Sequence, residues 1–325
     1  MIRSRRVAIA ASAVMLTAAA ACGGGPTGST TNAEGLTTLQ VGVSPAAGTS
    51  AAMYLAVSKG VFRNLGLDVQ LVPSTEGTVV VPRLMNGQLQ FSMASFGPFV
   101  SAVQQNLPIR MVTAVNRTHV EESQYSAIVV PSNSTATDLS GVKVFASQEA
   151  QHDPLDQLAF SKMNGNYGAV RILAVPLGSV GDTVAGHSAD AGRLFEPFLG
   201  QAVSKGGVKV LRYLNPPYTL AGIPTTVFEA NVDYLNKNAD VARRFVDGVH
   251  QANVYARAHL AEVAAYAPQT KLTSKPIDMV AMPDYVPDGI DVAKVDELLS
   301  LYETEGFLNR HLTTADVSWT PPAAG

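Results

Sequence analysis

The pattern Gly-(eight residues)-Phe-x-Pro-Phe occurs twice in this chain, and the repeat limits the folds open to it. The first copy runs from Gly87 to Phe96-Gly97-Pro98-Phe99, the second from Gly186 to Phe195-Glu196-Pro197-Phe198. All four identities fall at a single offset. Each copy reads as a helix stop at Gly, a short buried strand, then a new helix with Pro in its first turn. A unit used twice suggests two lobes of similar topology, each aiming a helix N-terminus outward. Two such lobes facing each other make a cleft, so binding is the first function to consider.

Strand and helix patterns alternate from residue 38 onward. Strands are expected over 39–43, 67–72, 109–114, 126–130, 142–145, 170–175, 208–211 and 225–230. Helices are expected between them: one capped by Ser50 and ending at Gly60, one over 98–106, one over 153–164, and two near the end over 239–259 and 291–303. Such alternation implies an α/β fold in which each lobe is a helix-covered sheet. Two breaker-rich stretches, near residue 131 and over 214–225, read as segments crossing between the lobes. That assigns residues 37–130 plus 214–312 to lobe I, 131–213 to lobe II, and 313–325 to a polar tail.

The N-terminus speaks to compartment. Arg3, Arg5 and Arg6 precede an apolar run from Val7 to Leu16, and Ala19-Ala20-Ala21 lead into Cys22. Residues 1–21 therefore read as a secretory signal peptide, too short to span a membrane as a helix. A cysteine directly after small residues resembles a bacterial lipobox, in which Cys22 is lipidated; the usual Leu of that motif is Ala19 here. Residues 22–36, rich in Gly, Ser and Thr, read as a lipid-anchored flexible tether. Cys22 is the only cysteine, which excludes disulfides, cysteine-based zinc sites and thiol catalysis in the folded body. The net charge is −3 and becomes more negative once the three leader arginines are removed. A mildly acidic chain without a basic run is a poor candidate for nucleic acid or anionic lipid.

Several ordered segments carry a family resemblance. Val41-Gly42-Val43-Ser44-Pro45, Met53-Tyr54-Leu55-Ala56, Lys59-Gly60-Val61-Phe62, Leu65-Gly66-Leu67-Asp68-Val69 and Asn86-Gly87-Gln88-Leu89 follow one another in that order. Together they resemble the opening lobe of solute-binding proteins of ABC importers for nitrate, taurine, alkanesulfonates and thiamine-type pyrimidines. Asp190-Ala191 followed by Phe195-Glu196-Pro197 resembles the second-lobe signature, and Glu305-Gly306-Phe307-Leu308 the C-terminal helix ending. The resemblance covers residues 38 to 310. It implies the two-lobe periplasmic-binding-protein fold, a monomer with a ligand between its lobes, and delivery to a membrane permease. Enzymes on this architecture and ligand-sensing subunits of membrane receptors remain open alternatives.

Catalytic signatures are weak. Gly186-His187-Ser188-Ala189-Asp190 nearly spells a nucleophile elbow, but its fifth position is not Gly and the serine precedes a strand. The six histidines show no HExxH and no i, i+4 pair suited to zinc. His152, Asp153 and Glu196 could hold a metal, yet they read better as solvated loops. No catalytic residue, metal site or cofactor is expected.

In such a fold, ligands meet the loops that follow strands, where helix N-termini offer unpaired N–H groups. Lobe I offers Ser44, Thr49, Ser50, Thr75, Glu76, Ser95, Phe96 and Arg117. Lobe II offers Ser147, Gln148, His152, Ser179 and Glu196. Hydroxyls and amides dominate, cations reduce chiefly to Arg117 and Arg193, and Phe96, Tyr125, Phe195 and Phe198 could supply ring faces. That balance favours a small polar organic solute, such as a planar nitrogen compound, over nitrate, a sulfonate or another small anion. Glu196 is expected to bind the solute directly.

Overall fold

The computed structural model describes residues 30–74, 80–148, 153–274 and 276–320. Two sheets share the strands. In chain order, β1 (Thr30–Thr31), β2 (Thr37–Val43), β3 (Leu67–Pro73), β4 (Phe91–Ser95) and β5 (Ile109–Arg117) enter the first sheet. The second takes β6 (Ser126–Pro131), β7 (Val144–Ser147), β8 (Arg171–Ala174), β9 (Ala191–Phe195) and β10 (Val208–Tyr213). The chain then returns to the first sheet with β11 (Pro224–Asn231) and β12 (Asp284–Tyr285). The first sheet runs β1-β2-β4-β11-β5-β12 with β3 also on β2; the second runs β10-β6-β9-β7-β8.

Helices flank both sheets: α1 (Ala47–Ser58), α2 (Val61–Asn64), α3 (Val80–Met85) and α4 (Phe96–Gln104) in lobe I, then α5 (Pro154–Lys162), α6 (Leu177–Ala185) and α7 (Phe198–Lys205) in lobe II. Lobe I is completed by α8 (Val232–Lys237), α9 (Ala239–Ala258), α10 (Leu260–Tyr266), α11 (Val292–Thr304) and α12 (Thr314–Val317). The long α9 keeps Val241, Phe245, Val249 and Ala252 on one face, spaced by three or four residues, and that face closes the lobe I core. Phe245 stacks on Phe91 at 4.0 Å and meets Phe228 edge-on at 5.1 Å, tying the helix to β4 and β11. In lobe II, Phe145 on β7 packs edge-on against Phe160 of α5 at 5.1 Å.

The α/β class and the two helix-covered sheets are as the alternation implies. The lobe boundaries differ from expectation. β6 pairs with β9 and β10, so it belongs to the second sheet and not to lobe I. The first crossing is therefore 118–125, before β6, while 132–138 lies inside lobe II. Nothing in a short apolar strand says which sheet will receive it; its antiparallel partners lie more than about 60 residues away in sequence. The expected tether ends earlier, because Thr30–Thr31 already pairs with β2. The tail is ordered through Trp319: Thr313 and Asp316 form a capping box on α12, and the Trp319 amide donates to the Met111 carbonyl at 2.8 Å. The leader and Cys22 lie outside the described residues.

The two crossings are stitched together. The Thr118 hydroxyl accepts from the Ile223 amide at 3.1 Å, and the Thr118 amide donates to the Ile223 carbonyl at 2.9 Å. Nearer lobe II, the Asn215 carboxamide grips Ser123 from both sides: it accepts from the Ser123 amide at 2.9 Å and donates to its carbonyl at 3.0 Å. Both strands of the connection are thus joined at each end.

Candidate functional site

Between the lobes, where the strand ends of both sheets meet the crossings, lies a cavity of about 130 Å³. Its lobe I wall is made by the ends of β2, β4 and β11. Ser44 and Thr49 come from the β2–α1 connection, Ser95 to Pro98 from the start of α4, and Thr225 and Thr226 from β11. Lobe II contributes Asp153, Leu155, Arg193 and Phe195, and the crossings contribute Thr118, His119, Ser123, Tyr125 and Asn215.

Small residues bring α1 to this wall. Ala47, Gly48, Thr49, Ala51 and Ala52 are all buried, so the helix starts at Ala47 and packs closely from its first turn. No side chain caps that start, which leaves first-turn N–H groups unbonded within the helix and a positive dipole end facing the cleft. Ser50 is not the cap the sequence suggests. It sits inside the first turn, fully buried, and its hydroxyl turns back to the Ser44 carbonyl at 2.8 Å. α4 repeats the arrangement, with Ser95 at its N-cap making no side-chain cap bond.

The ring contacts run across the cleft. The Tyr125 hydroxyl lies 3.1 Å from the Thr49 hydroxyl, and its ring stacks beside Phe195 at 6.1 Å and lies tilted against His119 at 5.9 Å. Phe96 lines the cavity and is also core, with Tyr302 of α11 at 6.0 Å. On the far wall, α5 reaches lobe I: Leu155 packs on its apolar cluster and the Gln157 amide bonds Glu305.

Both cations in the wall are already paired. Arg117 donates through Nε to Asp284 at 2.8 Å, and Arg257 meets the same carboxylate. Arg193 forks between Asp153 at 3.0 Å and Asp156 at 2.9 Å. Burial pushes Asp156 up to about 7, against the pull of the Arg193 guanidinium; the carboxyl is fully enclosed. The Tyr167 phenol beside it is raised for the same reason, burial.

Of the residues expected at the site, the structure brings together Ser44, Thr49, Ser95, Phe96 and Arg117. Ser50, Ser147, Gln148, Ser179 and Glu196 do not line the cavity. Ser147 ends β7 in the interior, and Ser179 is exposed on α6. Glu196 accepts the Gly200 amide at 3.2 Å and so closes the N-terminus of α7. Thr75, Glu76 and His152 lie outside the described residues. Sequence reasoning missed His119, Ser123 and Asn215, and weighed Asp153 only as a metal ligand. Only Asp153 carried a signal, as an Asp-Pro helix start.

A second, wider chamber of about 650 Å³ adjoins the first, and His119, Ser123 and Asn215 line both. These three residues form the partition. Among the described residues, no group of three or more His, Cys, Asp or Glu is placed to hold a metal ion, and no helix is long and apolar enough to cross a membrane.

Two helix-covered sheets, two stitched crossings and a cavity walled by both define the periplasmic-binding-protein fold, and known structures share it. One is the ligand-binding component of an ABC-type import system from Staphylococcus aureus, with zinc bound. It is 14% identical with a TM-score of 0.70, covering 87% of this chain and 96% of that one. The aliphatic sulphonate binding protein SsuA from Escherichia coli is 14% identical with a TM-score of 0.67, covering 89% and 94%. The nitrate-binding protein NrtA from Synechocystis is 14% identical with a TM-score of 0.69, covering 87% and 85%. No curated protein matches the sequence significantly. Residues 48–262 match the NMT1/THI5 like family, and the chain belongs to it.

Proposed function

We propose that this protein is an extracytoplasmic solute-binding lipoprotein of an ABC importer. It captures a small polar organic solute between its lobes and hands it, chemically unchanged, to a permease in the membrane. The observation that carries the reading is the cavity itself: residues from both lobes and both crossings wall it, so filling it favours the closed arrangement of the lobes. Neutralised arginines support a neutral or amine-bearing solute. Arg117 and Arg193 are each engaged by carboxylates, so an oxoanion would depend on the uncapped starts of α1 and α4 alone. Rings at Tyr125 and Phe195 suit a planar compound.

The leader and Cys22 support export and anchoring. Cys22→Ser is expected to release the protein from membranes with ligand affinity unchanged; equal retention of the variant in the membrane fraction would remove the lipid anchor from the reading. Solute binding is tested on the chain starting at residue 23 by thermal-shift screening, with mass spectrometry of any compound that co-purifies. Saturable binding without turnover is the expected result. Conversion of the bound compound would make the protein an enzyme on this fold.

A further inference from the structure

His119 sits in the first crossing, in the partition between the inner cavity and the outer chamber. One of its ring nitrogens, Nε2, lies 3.1 Å from the Met282 carbonyl oxygen. A carbonyl only accepts, so Nε2 must carry the proton and donate it. In a neutral imidazole this fixes the tautomer and leaves Nδ1 as a lone-pair acceptor. The surroundings keep the ring neutral. Burial, the largest influence, lowers its pKa; Asp284 and the Met282 hydrogen bond oppose it, and the Arg117 and Arg257 guanidiniums add to the lowering. Tyr125 packs against the ring at 5.9 Å and holds its plane.

We propose that His119 is a specificity-determining residue: its Nδ1 lone pair selects solutes that present an N–H or O–H donor and rejects small oxoanions that have none. This inference rests on the solute-binding reading and names its solute class. Of the other polar groups in the partition, the Ser123 hydroxyl accepts from the Tyr125 amide at 3.1 Å and keeps its own proton to donate. The Asn215 carboxamide is consumed by the Ser123 backbone, so His119 supplies an unspent side-chain hydrogen-bonding atom in that wall. An oxoanion placed there would set its own lone pairs against the imidazole, in a site whose arginines are already paired.

The test uses the chain from residue 23, since both sheets and every described helix lie within residues 30–320. Long-range nitrogen–proton NMR on histidine-labelled protein reads each tautomer directly, and His119→Gln identifies the His119 signals by their loss. At pH 8 the expected pattern is a protonated Nε2 and a bare Nδ1, with nitrate and methanesulfonate giving no saturable stabilisation in thermal-shift titrations. On acidification, protonation of Nδ1 turns the acceptor into a donor, so any anion binding should emerge only as the His119 signals titrate. A proton on Nδ1 at pH 8, or saturable binding of either anion at that pH, overturns the proposal. Anion binding would leave the solute-binding reading standing and remove only the solute class; turnover of a bound compound would do the reverse.

Discussion

The two Phe-x-Pro-Phe turns end strands of equal length and start helices of similar length, yet they treat their helix N-termini in opposite ways. In lobe I, α4 starts at Phe96 directly after β4, and Gly97 keeps its first turn bare beside the cavity. In lobe II, two residues separate the end of β9 from the start of α7 at Phe198, and Glu196 folds its carboxylate onto the Gly200 amide. The same four-residue punctuation therefore gives one open and one plugged N-terminus. The residue between Phe and Pro decides which. Lobe II reaches the cavity instead through Phe195 and the Arg193 fork, so it supplies a ring face and a fixed ion-pair network where lobe I supplies backbone donors and hydroxyls.

The largest expected effect breaks the lobe II side. Arg193→Ala leaves Asp156 enclosed with no counter-charge, and removing one partner of a buried pair typically costs about 3–5 kcal/mol. The penalty should depend on pH in a defined direction. Asp156 titrates near 7 in the fold, above its unfolded value. Its contribution is thus fully present below the unfolded pKa and is lost as pH rises through about 7, because the unfolded chain then binds fewer protons. Without Arg193 the folded pKa rises further, so urea denaturation should show a larger deficit at pH 8 than at pH 5. An equal deficit at both would mean that Asp156 stays ionised throughout.

The next effect makes the first turn resemble the second. Gly97→Glu would place a carboxylate at the start of α4, and a Cβ there already meets the Tyr302 hydroxyl at 3.3 Å. Backbone strain is not the issue, since Gly97 has no positive φ. A plugged N-terminus and a filled cavity should weaken solute binding by more than about a hundredfold, or about 2.7 kcal/mol. Titration of the compound that co-purifies with the wild type measures it. Retained affinity would show that the solute does not use the α4 side of the cavity.

How much of this was legible in the sequence differs by kind of interaction. Patterns local to a strand or helix were readable: the alternation, the Asp153 cap with Pro154 behind it, and the apolar face of α9. Long-range pairing was not. The run at 126–130 looks the same whether it joins β5 or β9, and only the fold decides. Among site residues, Ser44, Thr49 and Ser95 were found at the cavity wall because they follow strand ends of lobe I, whereas Ser147, at the end of β7, does not reach it. Charged ones have partners within the protein. Arg117, Arg193 and Glu196 looked like ligand groups, and each is engaged by a protein partner that sequence spacing hides. The exception is Asp153 with Asp156: two carboxylates three residues apart at a helix start share one face and could have announced a guanidinium between them.

Glu196→Ala is the smallest and most discriminating change, because the sequence pointed to this residue as the direct ligand contact. Its carboxylate lies outside the cavity and satisfies an amide in the first turn of α7. Loss of such a cap costs about 0.5–2 kcal/mol of stability, and solute affinity should not change. Burial holds the Glu196 pKa above its ordinary value, with the Gly200 amide opposing and Asp278 adding to the rise. A raised carboxyl contributes stability that fades as pH climbs through its folded pKa, so the ionised form is the less favoured one here. Glu196→Gln keeps an oxygen for the Gly200 amide and removes the charge. It should therefore be closer to wild type than Glu196→Ala at every pH, and lack the shallow loss of stability that Glu196 adds on the way to neutral pH. Chemical denaturation of the three proteins across the acidic range separates the cases. An affinity loss in Glu196→Ala with unchanged stability would return Glu196 to the solute and make the two turns equivalent after all.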